Sequence, residues 1–224
     1  MPLPNAKEKV MEIVFYDDNI IVINKPNWLL SVPGNKYETE DSAVQRLQPQ
    51  FGKIHVVHRL DCATSGILLF ARNLSSEIEL HRQFREREVS KKYMALIYDS
   101  PSQERGEVNA PLIAKWGHLP LQKVDFEKGK KSLTKWNIKK TLIFQRTGAS
   151  LIELIPVTGR RHQLRLHMQY LGNPIIGDRL YGSTLHKRKK HDRMYLHSAF
   201  LQFKHPVSHE VMQFEKVHDF LADN

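Results

Sequence analysis

Cysteine is nearly absent from this chain. With one thiol, Cys62, no intrachain disulfide can form, and a reducing compartment is expected. No apolar run approaches the roughly 18 residues that a membrane-spanning helix needs. The opening MPLPNAKEKV lacks the apolar core of a secretion signal, so the expected location is the cytoplasm. Internal repeats and long Gly/Ser linkers are missing as well. Negative charge is the scarcer sign: 24 Asp and Glu stand against 34 Lys and Arg, a formal net charge of +10. Such an excess points to a polyanionic partner, either nucleic acid or an acidic membrane surface, with a merely solvated basic surface as the alternative.

Two kinds of site are also missing. Twelve histidines invite a metal, yet His162 and His167 are five apart and His186, His191 and His197 are scattered. None of these makes the i, i+4 pair of a helical zinc site, and no cysteine cluster accompanies them. No metal is expected. TGRR and GDRLYG contain glycines, but their spacing is not that of a phosphate-cradling loop.

What is present suits a soluble globular protein: 224 residues, 41% hydrophobic and 26% charged, enough for one large domain or two small ones. MEIVFYDDNIIVINKP reads as a hairpin, with strands at residues 11–16 and 20–24 around an Asp-Asp-Asn turn. EDSAVQRLQPQF reads as a short helix, capped at Asp41 or Ser42 and broken at Pro49. Residues 67–71 form a continuous apolar run, the mark of a buried strand. NLSSEIELHRQFRERE predicts a helix capped by Ser75 or Ser76, with Leu74/Ile78 and Leu80/Phe84 as four-spaced apolar pairs and Arg82, Arg85 and Arg87 riding on it. KKYMALIY is strand-like. Short strands and turns at WGHLP and EKGKK follow, then TKWNIKK, LIFQR and SLIELIPV as successive antiparallel strands. TGRRHQLRLHMQYLGNP predicts a helix with Thr158 as N-cap, Leu164, Met168 and Leu171 as its stripe and Gly172 just past its end. MYLHSAFLQF and VMQFE close the chain as strands. Strands outnumber helices and short turns join them, so the expected class is α+β, a mixed and mainly antiparallel sheet with flanking helices.

The stretch HRLDCATSGILLFAR sets a carboxylate, Asp61, at the mouth of the buried run. An Asp there is ordinarily a turn or cap residue. Two features argue for more. Arg59 and Asp61 are i, i+2, so on an extended chain both side chains can point to one side. CATSG is small and ends in a glycine, which suits close approach of backbone to a ligand. Cys62 reads as a small buried filler. On the later helix, Arg161 and Arg165 are four apart and would share a face, which requires a counter-charge: an RNA phosphate, a carboxylate or water. The run KRKK at residues 187–190 is either a solvated loop or a set of phosphate contacts.

These motifs, taken together, resemble the RluA family of pseudouridine synthases. HRLDCATSGILLFAR resembles its His-Arg-Leu-Asp signature, REVSKKYMALIY its second motif with Tyr93, and PVTGRRHQLRLHMQYLGNPIIGDRLYG its third with Arg165. DDNIIVINKPNWLLSVPG is similar to the family's N-terminal hairpin, and Cys62 stands where the family commonly has Met or another residue. The resemblance runs from about residue 11 to 215. It implies the pseudouridine synthase fold with a central catalytic cleft and no S4 domain. The expected organisation is a short extension at residues 1–10 and one catalytic domain over residues 11–220, divisible into two subdomains sharing a sheet.

The implied reaction is isomerisation of uridines in RNA. The N-glycosidic bond breaks, the base turns and it is rejoined through C5, with no cofactor. Asp61 would act as nucleophile or as a base generating a glycal. Arg165 would keep it ionised, Tyr93 would stack on the uracil and Leu164 would press on its other side. The target would be flipped out of its loop, with Arg59 filling the gap. His58, Arg82, Arg85 and Arg161 join the expected substrate-binding set, the arginines holding phosphates. The expected partners are hairpin loops of 23S ribosomal RNA, the tRNA anticodon arm, or both, with the protein a monomer that touches no membrane. Two other classes remain: an RNA-binding module without catalysis, which would not need Asp61, and a hydrolase pairing Asp61 with Glu153.

Overall fold

A computed structural model describes residues 10–34, 41–117, 120–182, 191–217 and 220. In chain order the elements are β1 (Glu12–Tyr16), β2 (Ile20–Lys25), α1 (Ala43–Phe51), β3 (His55–Val56), β4 (Ser65–Ala71), α2 (Leu74–Glu86), β5 (Ser90–Tyr98), β6 (Arg105–Asn109), β7 (Leu112–Ala114), β8 (Gln122–Val124), β9 (Leu133–Phe144), β10 (Thr147–Pro156), α3 (Gln163–Tyr170), β11 (Leu196–Lys204) and β12 (Val211–Glu215). The chain divides into two compact units, one from the residues up to 91 and from 197 to 217, the other from 92 to 196 with Phe220.

In the first unit the sheet order is β1-β2-β4-β11-β12, with β3 also on β4. The pairings are antiparallel except β4 with β11, which is parallel. The predicted hairpin is β1–β2. Asp17 shapes its turn by accepting the N–H groups of Asn19 and Ile20 at 2.7 and 2.8 Å. β4 is buried at every residue because strands flank both its edges and its side chains enter a core of Ile20, Val22, Ile67, Leu69, Leu80 and Phe203.

Both helices of this unit depart from expectation in detail. Ser42 caps α1 by accepting the Gln45 N–H, and Asp41 instead clasps Arg46 with both oxygens at 2.8 Å. Pro49 does not break α1. It removes one N–H, and the helix continues to Gly52, whose N–H reaches Gln48 O at 2.9 Å. Asn73, not Ser75 or Ser76, caps α2 by accepting the Ser76 N–H at 2.9 Å. Leu80 and Phe84 face the core as predicted, whereas Leu74 and Ile78 are exposed. Arg87, at φ +63°, ends the helix rather than riding on it.

In the second unit β5-β10-β9-β6 form an antiparallel sheet and β7–β8 a separate hairpin. TKWNIKK and LIFQR are one twelve-residue strand, β9, not two. Midway along it lies a β-bulge: Lys139 is the extra residue between the pairs Ile138–Ile152 and Lys140–Leu151. The turn after β9 is Gln145-Arg146, both at positive φ (45° and 62°), as a two-residue hairpin requires. Leu96, Phe144, Ala149, Ile176 and Tyr195 pack as this unit's core.

Candidate active site

The segment leading to Asp61 is held by side chains that replace a strand partner. Ser31 Oγ accepts the Leu60 N–H at 3.1 Å and donates to the Leu60 carbonyl at 2.8 Å. Leu60 is buried, and its neighbours Arg59 and Asp61 are exposed and half-buried respectively. This is the alternation expected of an extended chain. A turn closes behind Asp61, whose carbonyl accepts the Thr64 N–H at 3.0 Å.

Under this turn lies Lys25, fully buried at the end of β2. Its Nζ donates to the carbonyls of Pro26 (2.9 Å), Leu29 (2.7 Å) and Cys62 (3.2 Å). Burial pulls its pKa down to about 7, against the opposing pull of Cys62 and Asp61. A buried cation thus tethers the residue next to Asp61. Cys62 is half-buried, not a buried filler.

The glycine of CATSG serves the fold. Gly66 sits at φ +109°, and a Cβ there would lie 2.3 Å from Ser198 O on β11. The close backbone approach is real, but the partner is a strand, not a ligand. His58 also turns inward. Its Nε2 accepts the Leu69 N–H at 3.1 Å, its ring stacks on Phe84, and burial followed by Lys91 drives its pKa down to about 3. This neutral imidazole spends its accepting nitrogen on backbone, so His58 drops out of the expected substrate contacts.

Among the arginines of α2, Arg82 is enclosed by Glu79, Glu86 and Glu88. Three carboxylates around one guanidinium do not make a phosphate site, so Arg82 leaves the set too. Arg85 keeps 71% of its side chain exposed, beside Glu86 at 3.6 Å.

In the second unit, α3 begins at Gln163, four residues later than a Thr158 cap implies. Thr158 Oγ1 instead accepts the Leu133 N–H and donates to Gln163 Oε1. The Gln163 amide also accepts the Arg160 N–H and donates to Leu133 O and Thr134 Oγ1. One glutamine thereby fixes the entry to α3, with His162 at φ +55° as the preceding residue. Leu164 and Met168 are buried, and Gly172 follows at φ +92° as predicted. Arg161 lies before the helix and is exposed, while Arg165 is buried, so the two do not share a face.

Arg165 donates through Nε and Nη2 to the two oxygens of Asp178, each at 2.8 Å. Asp178 in turn accepts the N–H groups of Leu180 and Tyr181. Burial raises the Asp178 pKa, but the Arg165 bonds and charge outweigh it and leave the carboxyl below its ordinary range. The Tyr181 ring lies 5.2 Å from the Arg165 guanidinium. The Tyr181 hydroxyl accepts the Gln122 N–H at 2.9 Å and bonds His162 Nδ1 at 2.7 Å. Sequence reasoning misses Asp178 and Tyr181. The available signal is GDRLYG, an acid and an aromatic between glycines. Tyr93 on β5 is half-buried and paired with Leu154 of β10. Glu153, the second carboxylate a hydrolase would need, is engaged by Lys139 at 2.9 Å.

Histidines that suggest a metal have other partners: His167 bonds Thr134 Oγ1 and Ala110 O, and His197 bonds Ser65 Oγ and Lys216 O. The KRKK run lies outside the described residues. Among the described residues, no helix is long and apolar enough to cross a membrane.

Residues 19–170 match the family model described as RNA pseudouridylate synthase. The chain belongs to this family: it is an RNA pseudouridine synthase, an enzyme that isomerises uridine in RNA. It is 45% identical over 204 residues to the dual-specificity RNA pseudouridine synthase RluA of Pasteurella multocida (strain Pm70), covering 91% of each chain. To the protein of that name from Escherichia coli (strain K12) it is 42% identical over 214 residues, covering 96% of each. Among solved structures it resembles human RNA Pseudouridylate Synthase Domain Containing 1, with 27% identity, a TM-score of 0.83 and coverage of 98% of this chain and 88% of that one.

Proposed function

We propose that this chain acts on uridines in hairpin loops of 23S ribosomal RNA, the tRNA anticodon arm, or both. Support comes from the dual-specificity name carried by relatives that match it over nine-tenths of their length. Asp61 is the catalytic carboxylate, either attacking the sugar or base or generating a glycal. The N1–C1′ bond breaks, C5–C1′ forms, the C5 proton leaves and N1 gains one, so the product is an isomer and no cofactor is consumed. Arg165 is the cation that favours the ionised form of Asp61. Tyr93 stacks on the uracil, Leu164 covers its other side and Arg59 fills the stack the target leaves. Arg85 and Arg161 meet phosphates.

The observation that carries the assignment of Asp61 is its mounting. Ser31 and Lys25 spend buried hydrogen bonds on the backbone of Leu60 and Cys62, the two residues flanking it. Such support is what a site needs to hold a reacting group in one geometry. The test is tritium release from C5 of uridine-labelled RNA. Asp61→Asn keeps shape and loses charge. It should lower turnover about a thousandfold or more, equivalent to about 4 kcal/mol of barrier, while RNA affinity stays within a few fold. A variant retaining more than about one percent of the wild-type rate would remove Asp61 from the chemistry.

A further inference from the structure

Outside the residues assigned to catalysis, the second unit carries a groove of about 560 Å³ between the β7–β8 hairpin and α3. Leu166, Gln169 and Tyr170 line it from the helix, at the i, i+3, i+4 spacing of one face. Leu164 lies two residues from Leu166, about 200° around the helix, so the groove is on the side away from the residue assigned to the uracil. Lys115, Gln122 and Lys123 line it from the hairpin.

Three kinds of chemistry meet there. Tyr170 is 55% exposed, its ring tilted against the open Phe126 at 6.3 Å between centroids, so an aromatic face is presented to solvent. Gln169 is exposed beside it and offers an amide. The hairpin supplies positive charge. Residues 115–131 hold five lysines against Asp125 and Glu127, and Asp125 is largely absorbed by Lys123 at 2.8 Å and the N–H groups of Glu127 and Lys128. Lys115 is exposed at the groove's rim, and the next residue, Trp116, is 96% exposed. An aromatic face, an amide and ammonium groups around a nucleotide-sized recess fit a base, its edge and its phosphate.

We propose that this groove holds one unpaired nucleotide of the substrate RNA, a neighbour of the target and not the target itself. Its base stacks on Tyr170 and its phosphate meets Lys115. The inference rests on the chain's being an RNA-modifying enzyme and adds a second point of recognition.

The probe is a fluorescent stem-loop RNA of which a tritiated copy is a substrate of the wild type. Tyr170→Ala should weaken binding about five- to tenfold, and Tyr170→Phe should stay within about twofold of wild type. Lys115→Ala should flatten the dependence of log affinity on log salt by about 0.7. Both side chains are exposed, and matching melting curves would confirm intact folding. Wild-type affinity in Tyr170→Ala, an equal loss in Tyr170→Phe, or an unchanged salt slope in Lys115→Ala would each overturn the assignment. Tritium release by the wild type is read separately, so failure of the activity and failure of the groove are distinguishable.

Discussion

On α2, Arg82 reaches Glu79 and Glu86 of its own helix and Glu88 beyond it, with 33% of its side chain in water. On α3, Arg165 holds Asp178 by two parallel bonds, with 6% of its own side chain and 1% of Asp178's exposed. The first arrangement stands in water and the second out of it. The second carries more consequence, because water screens the one and is excluded from the other. Removing a partner on α2 returns the remaining groups to solvent. Removing Asp178 takes a bidentate partner from a guanidinium in the interior. The difference teaches that the number of ion pairs around an arginine says little until their exposure is known.

Asp178 offers the most forceful way to break this contrast. Asp178→Ala should lower the unfolding free energy by about 3–5 kcal/mol, read by chemical denaturation, as expected when one member of a buried pair is removed. Asp178→Asn keeps an acceptor and should fall less. Arg165→Lys should rescue little of the turnover, because an ammonium cannot reproduce the two parallel bonds made by Nε and Nη2. A lysine variant with a near-normal tritium-release rate would show that charge alone suffices, and the buried pair would lose its special standing.

The contrast also explains what could be read in advance. Alternation and apolar runs locate the hairpin, β4, β5, β11 and β12, because burial of one or both faces of a strand writes itself into the sequence at period two or as a continuous run. The motif order places Asp61, Tyr93 and Arg165 as candidates. Other features depend on which partner a side chain finds. Asn73 and Ser75 are equal as caps on paper, and only the chain path gives the Ser76 N–H to Asn73. Thr158 precedes a helical pattern but bonds β9. TKWNIKK and LIFQR read as two strands, yet they are one strand with a bulge at Lys139. Arg161 and Arg165 match in spacing, yet α3 starts between them. Lys25 ends an apolar strand where an exposed lysine is ordinary, and nothing local reveals that three carbonyls converge on it.

Lys25 supplies an intermediate case, a buried cation held by neutral carbonyls. Its folded pKa is about 7, against 10.5 when unfolded. Between these values the unfolded chain binds more protons, so this group's contribution to stability rises with pH over that window, by up to about 1.4 kcal/mol per unit. Below about pH 7 both states are protonated and the full cost of burying the charge is present. Comparing the denaturant stability of wild type with Lys25→Met at about pH 7, 8 and 9 isolates the effect: the difference should move in favour of the wild type as pH rises. A difference independent of pH would mean that the three carbonyls hold the ammonium charged throughout. Turnover adds a second reading. A neutral amine has two N–H groups for three acceptors, and the 3.2 Å bond to Cys62 is the longest. Breaking that bond would loosen the chain beside Asp61.

The smallest effect is expected at Arg82, and it sharpens the comparison from its other end. If an arginine of α2 met RNA phosphate, its removal would flatten the salt dependence of binding by about 0.7–0.9 for each phosphate given up. Arg82 has three carboxylates in its reach already, and a phosphate approaching it would meet their charge as well. Arg82→Ala should therefore leave the salt slope unchanged. Arg161→Ala, which removes an exposed cation preceding α3, should flatten it by about 0.7–0.9. The two substitutions delete the same charge, so the change in net charge cannot separate them and only local surroundings can. Equal slopes for the two variants would mean that the glutamates move aside for RNA, and Arg82 would return to the phosphate-binding set. A flatter slope for Arg161→Ala alone would confirm that on this chain an arginine's neighbours, more than its presence, decide whether it reads the substrate.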